Sequence, residues 1–117
     1  MKEKKNNERN GSSIPRLSHL QGAVLQILLS SRISGKELRK KLAEDYEIFT
    51  SGPAFYQLMA RLEEVKYVEG AYQQKNIDGQ IIKERHYQIL GNGIRALDEL
   101  SIYYTSLLAQ KNAYAFV

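Results

Sequence analysis

An α+β domain, mostly helical, is what the sequence predicts: three helices, a two-stranded hairpin and a final helix, in that order. Three observations carry this expectation. Apolar residues recur at helical spacing through three segments between residues 18 and 65; the period then becomes alternating on either side of a single Asp78-Gly79; and helical spacing returns from Gly91 onward. At 117 residues the chain has the length of one domain. That is enough for a single core, but it leaves apolar surface for a partner to cover.

Residues 1–15, within "MKEKKNNERNGSSIP", are polar and aperiodic and are expected to form a disordered basic arm. Ser18 with Gln21 makes a capping-box pattern ahead of Leu20, Val24, Ile27 and Leu28, which marks the first helix. The signal is repeated in "ISGKEL". There Ser34 and Glu37 form a second capping box, Ile33 and Leu38 hold the two positions of a hydrophobic staple, and Leu38, Leu42 and Tyr46 are expected to point inward.

The third helix is entered through Thr50, Ser51 and Gly52, with Pro53 at the first helical position, where a missing N–H costs nothing. Its apolar arc is Phe55, Leu58, Met59, Leu62 and Val65; the opposite arc carries Pro53, Tyr56, Gln57, Ala60, Arg61 and Glu64. A solvated helix face usually alternates Lys with Glu. This one does not. With Asp78-Gly79 as a two-residue turn, Val68 faces Ile89, Gly70 faces Tyr87, Tyr72 faces Arg85 and Gln74 faces Lys83, so the hairpin has an apolar end and, near the turn, a polar and basic one. From about Gly91 to Gln110, Leu97, Leu100, Tyr104, Leu107 and Leu108 lie on one helical stripe.

Composition excludes several classes. Without cysteine there is no disulfide, thiol nucleophile or Cys-bearing zinc site. His19 and His86, the only histidines, have no metal-ligand spacing and are read as structural or surface residues, so neither a metal nor a cofactor is expected. No nucleophile, paired carboxylate or metal constellation stands at useful spacing, and no enzyme is expected. The basic start lacks the apolar core of a signal peptide, and no apolar run approaches the roughly 20 residues of a membrane span. A soluble, cytoplasmic protein without membrane contact is expected. The formal charge is +4, of which residues 1–16 supply +3 through Lys2, Lys4, Lys5, Arg9 and Arg16 against Glu3 and Glu8, leaving +1 for the rest. Any electrostatic footprint must therefore come from local clustering.

The element order is that of a winged helix-turn-helix, in which the third helix is presented to the major groove and the hairpin, the wing, flanks it. Such a helix needs clearance, which Gly52, Pro53, Ala54 and Ala60 provide beside Ser51 at its start. Tyr56 and Arg61 reach phosphates, and Gln57 presents an amide to a base edge. On the second helix Lys36, Arg39 and Lys40 lie away from Leu38 and Leu42 and can brace against the backbone, while Lys75, Lys83 and Arg85 on the wing can follow the groove edge. For each cation the competing reading is ordinary solubilising charge, and Tyr72 opposite Arg85 also fits a cross-strand cation–π pair.

The chain also resembles the PadR-like transcriptional regulators, from the first helix to the start of the last. "FYQLMARLEE" places Tyr56, Met59, Arg61, Leu62 and Glu63 on that family's recognition-helix pattern. Gly35, Lys36, Glu37 and Leu38 match its second-helix entry, and "YQILGNG" matches the exit of its wing. Three positions depart from it: Pro53 replaces a glycine before the Tyr motif, Lys66 replaces the glycine ending the recognition helix, and Leu90 replaces the threonine capping the last helix. Asn92 is the expected substitute cap. The wide stripe of the last helix, with Ile94 and Ile102 off it and the apolar "AYAFV" tail beyond, is more than one small domain covers, and the resemblance implies dimerisation through the terminal helix. Ile94, Leu97, Leu100, Tyr104, Leu107 and Leu108 are the expected dimerisation set, residues 16–90 the DNA-binding domain and 91–117 the dimerisation helix and tail. The competing reading is a helix packed wholly on its own domain with a frayed tail. The resemblance also implies a homodimeric regulator of a pseudo-palindromic operator on double-stranded DNA, acting as a repressor. The alternative is a winged-helix module for protein contacts that does not bind DNA. Tyr103 and Tyr104 can line a cavity for a small-molecule effector between subunits or simply pack, and neither an effector nor the operator is named by the sequence.

Overall fold

Ser18, Ser34 and Ser51 each start a helix by accepting on the hydroxyl oxygen the backbone N–H three residues on, at 3.1, 3.1 and 3.2 Å. The computed structural model describes residues 17–115, with side chains described as far as residue 110; the basic arm and the end of the "AYAFV" tail lie outside the described residues. The elements are α1 (His19–Leu28), β1 (Ile33–Ser34), α2 (Gly35–Tyr46), α3 (Gly52–Glu64), β2 (Val68–Ile77), β3 (Gln80–Ile89) and α4 (Gly91–Ala115). The expected winged helix-turn-helix is therefore present, α+β and mostly helical.

At Ser18 the capping box is complete, since its backbone N–H donates to Gln21 Oε1 at 2.9 Å. At Ser34 only the hydroxyl half forms, because Ser34 also belongs to β1, a strand that pairs Ile33 with Tyr87 and Ser34 with His86. The sheet is antiparallel with the order β1-β3-β2. All four wing pairs occur as expected: Val68 with Ile89, Gly70 with Tyr87, Tyr72 with Arg85, and Gln74 with Lys83. Asp78 and Gly79 both take positive φ, 52° and 84°, the pair of left-handed residues that a two-residue hairpin turn requires.

The core gathers Val24 and Leu25 of α1, Leu38 and Leu42 of α2, Phe55, Met59 and Leu62 of α3, and Val68 and Tyr87 at the root of the wing. Several expectations fail at element ends. Tyr46 is 37% exposed, being the last residue of α2 and beyond the core's reach. Val65 is 51% exposed, because it is the C-cap of α3 and leaves the helical projection that placed it inward. Pro53 is the second helical residue, not the first. Asn92 does not cap α4; it sits inside the first turn and accepts from the Arg95 guanidinium. The turn end of the wing is not simply polar and basic, for Ile77, Ile81 and Ile82 are exposed there.

Lys66 ends α3 in the left-handed region at φ 65°. Its N–H donates to Glu63 O at 3.0 Å and that of Tyr67 to Leu62 O at 2.9 Å, which is the Schellman pattern usually built on glycine. The chain then doubles back so that Leu90 N–H donates to Tyr67 O at 2.9 Å as α4 begins. Leu97 packs on the core, and Leu100 lies against Gly22 of α1, whereas Ile94, Ile102, Tyr104, Leu107 and Leu108 remain exposed. Among the described residues no helix is long and apolar enough to cross a membrane.

Candidate nucleic-acid interface

Burial of Phe55, Met59 and Leu62 fixes the rotation of α3 and turns Pro53, Ala54, Tyr56, Gln57, Ala60 and Arg61 outward, all of them exposed. Ser51 is exposed at the start, with its hydroxyl oxygen committed to the cap, and Gly52 is half-buried. The Tyr56 ring stands edge-on to Phe55 at 4.9 Å and crosses to the first residue of α2, where a Cβ on Gly35 would come within 2.8 Å of its hydroxyl oxygen.

That crossing roofs one end of a cleft of about 330 Å³ between α3, the start of α2 and the wing, with Lys36, Tyr56, Tyr72, Lys83, Glu84 and Arg85 on its walls. Four of the residues singled out from the sequence, Lys36, Tyr56, Lys83 and Arg85, thus converge. They come from three elements. Among the described residues no ion pair engages Lys36, Lys40, Arg61 or Lys83. Lys36, Lys40, Arg61 and Lys83 are all exposed.

Other predicted cations are occupied. Arg39 Nη2 donates to Thr50 O at 2.8 Å, tying α2 to the turn that enters α3. Arg85 Nη2 donates to Glu63 Oε1 at 2.7 Å, and the guanidinium lies 4.9 Å from the Tyr72 ring centre and 5.9 Å from that of Tyr87. The cross-strand cation–π pair read from the sequence is therefore present. Lys75 pairs with Glu84 at 3.0 Å, and strand alternation puts it on the face of the hairpin opposite Lys83 and Arg85, so the three do not form one edge.

The electrostatics follow these contacts. The hydrogen bond from Lys75 holds the Glu84 carboxyl below its ordinary value, with His86 at 3.4 Å adding to the effect. Burial, reinforced by the nearby Glu63 carboxylate, pushes the Tyr87 hydroxyl up to about 12. Glu63, which the sequence places on the recognition-helix pattern, has a contact that no local signal announces. Its partner is 22 positions away in the chain, and no local period links a helix C-terminus to the middle of a hairpin.

No protein-family model and no curated protein matches the sequence. Solved structures do match the fold. A PadR-like transcriptional regulator from Bacillus cereus strain ATCC 14579 is 25% identical with a TM-score of 0.67, covering 82% of this chain and 90% of its own. A PadR family transcription regulator from Clostridium difficile R20291 superposes with a TM-score of 0.70 at 17% identity, over 84% of this chain and 99% of that one. Bacillus subtilis PadR, in complex with operator DNA, matches at 17% identity and a TM-score of 0.60, over 72% of this chain and 47% of that one. The motifs in "FYQLMARLEE" and "YQILGNG" and the arrangement of helices and wing agree with these structures: the chain has a winged helix-turn-helix fold similar to that of PadR-like transcriptional regulators.

Proposed function

We propose that this chain is a transcriptional regulator that binds double-stranded DNA through α3 and the wing. The observation that carries the proposal is the convergence of Lys36, Tyr56 and Lys83 on one cleft beside an α3 face of small and amide side chains. A phosphate seated there meets two ammonium groups and a phenol hydroxyl, while α3 lies unobstructed toward the base edges. Gln57, exposed and near the middle of that face, is the base reader, and Arg61 one turn on grips the backbone. The reading is supported by the likeness in fold to Bacillus subtilis PadR, which was solved in complex with operator DNA. Assembly as a homodimer is supported by the apolar residues exposed along α4, and a twofold axis there presents two copies of α3 to a pseudo-palindromic operator. Repression rests on the family resemblance. The proposal is of a binding protein rather than an enzyme.

Selection of bound sequences from random duplexes tests it. The intact chain should enrich a motif of two related half-sites, and Gln57→Ala should relax one base position in each by about 1 to 3 kcal/mol while leaving the rest. An unchanged motif for Gln57→Ala refutes its base-reading role. The isoleucines exposed at the wing tip favour a second reading, a module for protein contacts, and no enrichment at all would support that instead.

A further inference from the structure

We infer that Glu63 and Arg85 are positioning residues that lock the wing to the recognition helix, so that α3 and the hairpin meet DNA as one surface. The inference rests on the DNA-binding reading but reassigns Arg85 within it, from a groove contact to a brace. The geometry is built for this. Arg85 lies midway along β3, and Glu63 is the penultimate residue of α3. Their 2.7 Å contact is the only ion pair joining the hairpin to the helices among the described residues. Both side chains are about three-quarters covered, at 29% and 26% exposure. Gly70 makes the space, since a Cβ there would fall 2.9 Å from Arg85 Nε and 2.9 Å from the Tyr87 ring. Tyr72 then closes over the guanidinium.

The root of the ribbon is held by Val68, Tyr87 and Ile89 at the core, and beyond that root this contact is the ion pair that fixes its angle. β1 reaches only Tyr87 and His86, so from Arg85 to the Asp78-Gly79 turn the two strands pair with each other alone. A two-stranded ribbon held at its root twists and swings. Ordering it on binding would subtract from affinity, which a preset angle avoids.

The two roles for Arg85 predict opposite signs. If Arg85 were a phosphate contact held back by Glu63, Glu63→Gln would release it, remove a negative charge near the DNA and tighten binding. If the pair is a brace, Glu63→Gln weakens binding of the selected duplex by about three- to ten-fold despite the charge removed. Arg85→Lys, which keeps the charge but loses the planar fork, weakens it similarly. The double variant is no worse than either single one, and the salt dependence is unchanged.

A readout without DNA stands beside this. The chain has no cysteine, so Glu44→Cys on α2 and Gln74→Cys on the wing, both exposed, accept spin labels cleanly. The distance distribution between them should be narrow in the otherwise unaltered chain and broaden in Glu63→Gln and Arg85→Lys. Equal widths overturn the lock. Binding by Glu63→Gln as tight as or tighter than the parent's overturns its role toward DNA. A parent chain that retains no duplex refutes the DNA reading itself, while the label distances still decide the lock.

Discussion

Lys66 occupies a position whose φ of 65° suits glycine, and nothing about its ammonium group explains its presence in the Schellman turn that ends α3. A residue with a Cβ is strained there by about 1 to 2 kcal/mol, and glycine would recover part of this against the greater freedom of its unfolded chain. Lys66→Gly should therefore raise stability by about 0.5 to 1 kcal/mol, read as a higher urea midpoint with an unchanged slope; a lower midpoint would mean that the lysine makes a contact of its own. At this scale the sequence was legible wherever the chemistry is local. Ser18, Ser34 and Ser51 could be read as caps because each partner sits three residues away. The pairing of Glu63 could not be read, because its partner is distant, and Tyr46 and Val65 misled because a helical projection does not extend past the last turn.

Elements meet most tightly where α4 begins. Gly93 is buried against the turn between α3 and β2, and a Cβ on it would fall 2.3 Å from Tyr67 O and 2.9 Å from the Ile89 side chain. That carbonyl already accepts the Leu90 N–H, so it is poorly placed to yield. This accounts physically for the last glycine of "YQILGNG". Gly93→Ala should destabilise the fold by about 2 to 3 kcal/mol in thermal or urea unfolding; a neutral outcome would show that α4 can tilt away without loss. The wing register was legible because Asp78-Gly79 fixes the turn and the turn fixes every pair beyond it. The β1 strand was not, since two residues carry no period and their partner lies in β3.

Over the whole molecule, α4 divides in two. Its first half is held by α1 and the core through Leu97 and Leu100, and its second half carries Ile102, Leu107 and Leu108 exposed, with Tyr104 between the two, exposed on one side and lining a cleft with His19 and Tyr46 on the other. Removing the chain after Ser101 should therefore leave the winged domain folded while abolishing the proposed dimer. Sedimentation decides this: a truncated protein that remains dimeric, or an intact one that is monomeric at micromolar concentration, contradicts the assignment. The loss of two linked half-sites should lower affinity for a paired operator by orders of magnitude and for a single half-site only slightly. If the face of α3, α2 and the wing grips duplex DNA, binding to the selected duplex must weaken steeply as salt rises. Lys36, Lys40, Arg61 and Lys83 are exposed and unpaired among the described residues, and each phosphate they neutralise should contribute a slope of about −0.9 in log K against log salt, near −3 to −4 per chain. A complex indifferent to salt, or no duplex binding even at low salt, would contradict that grip.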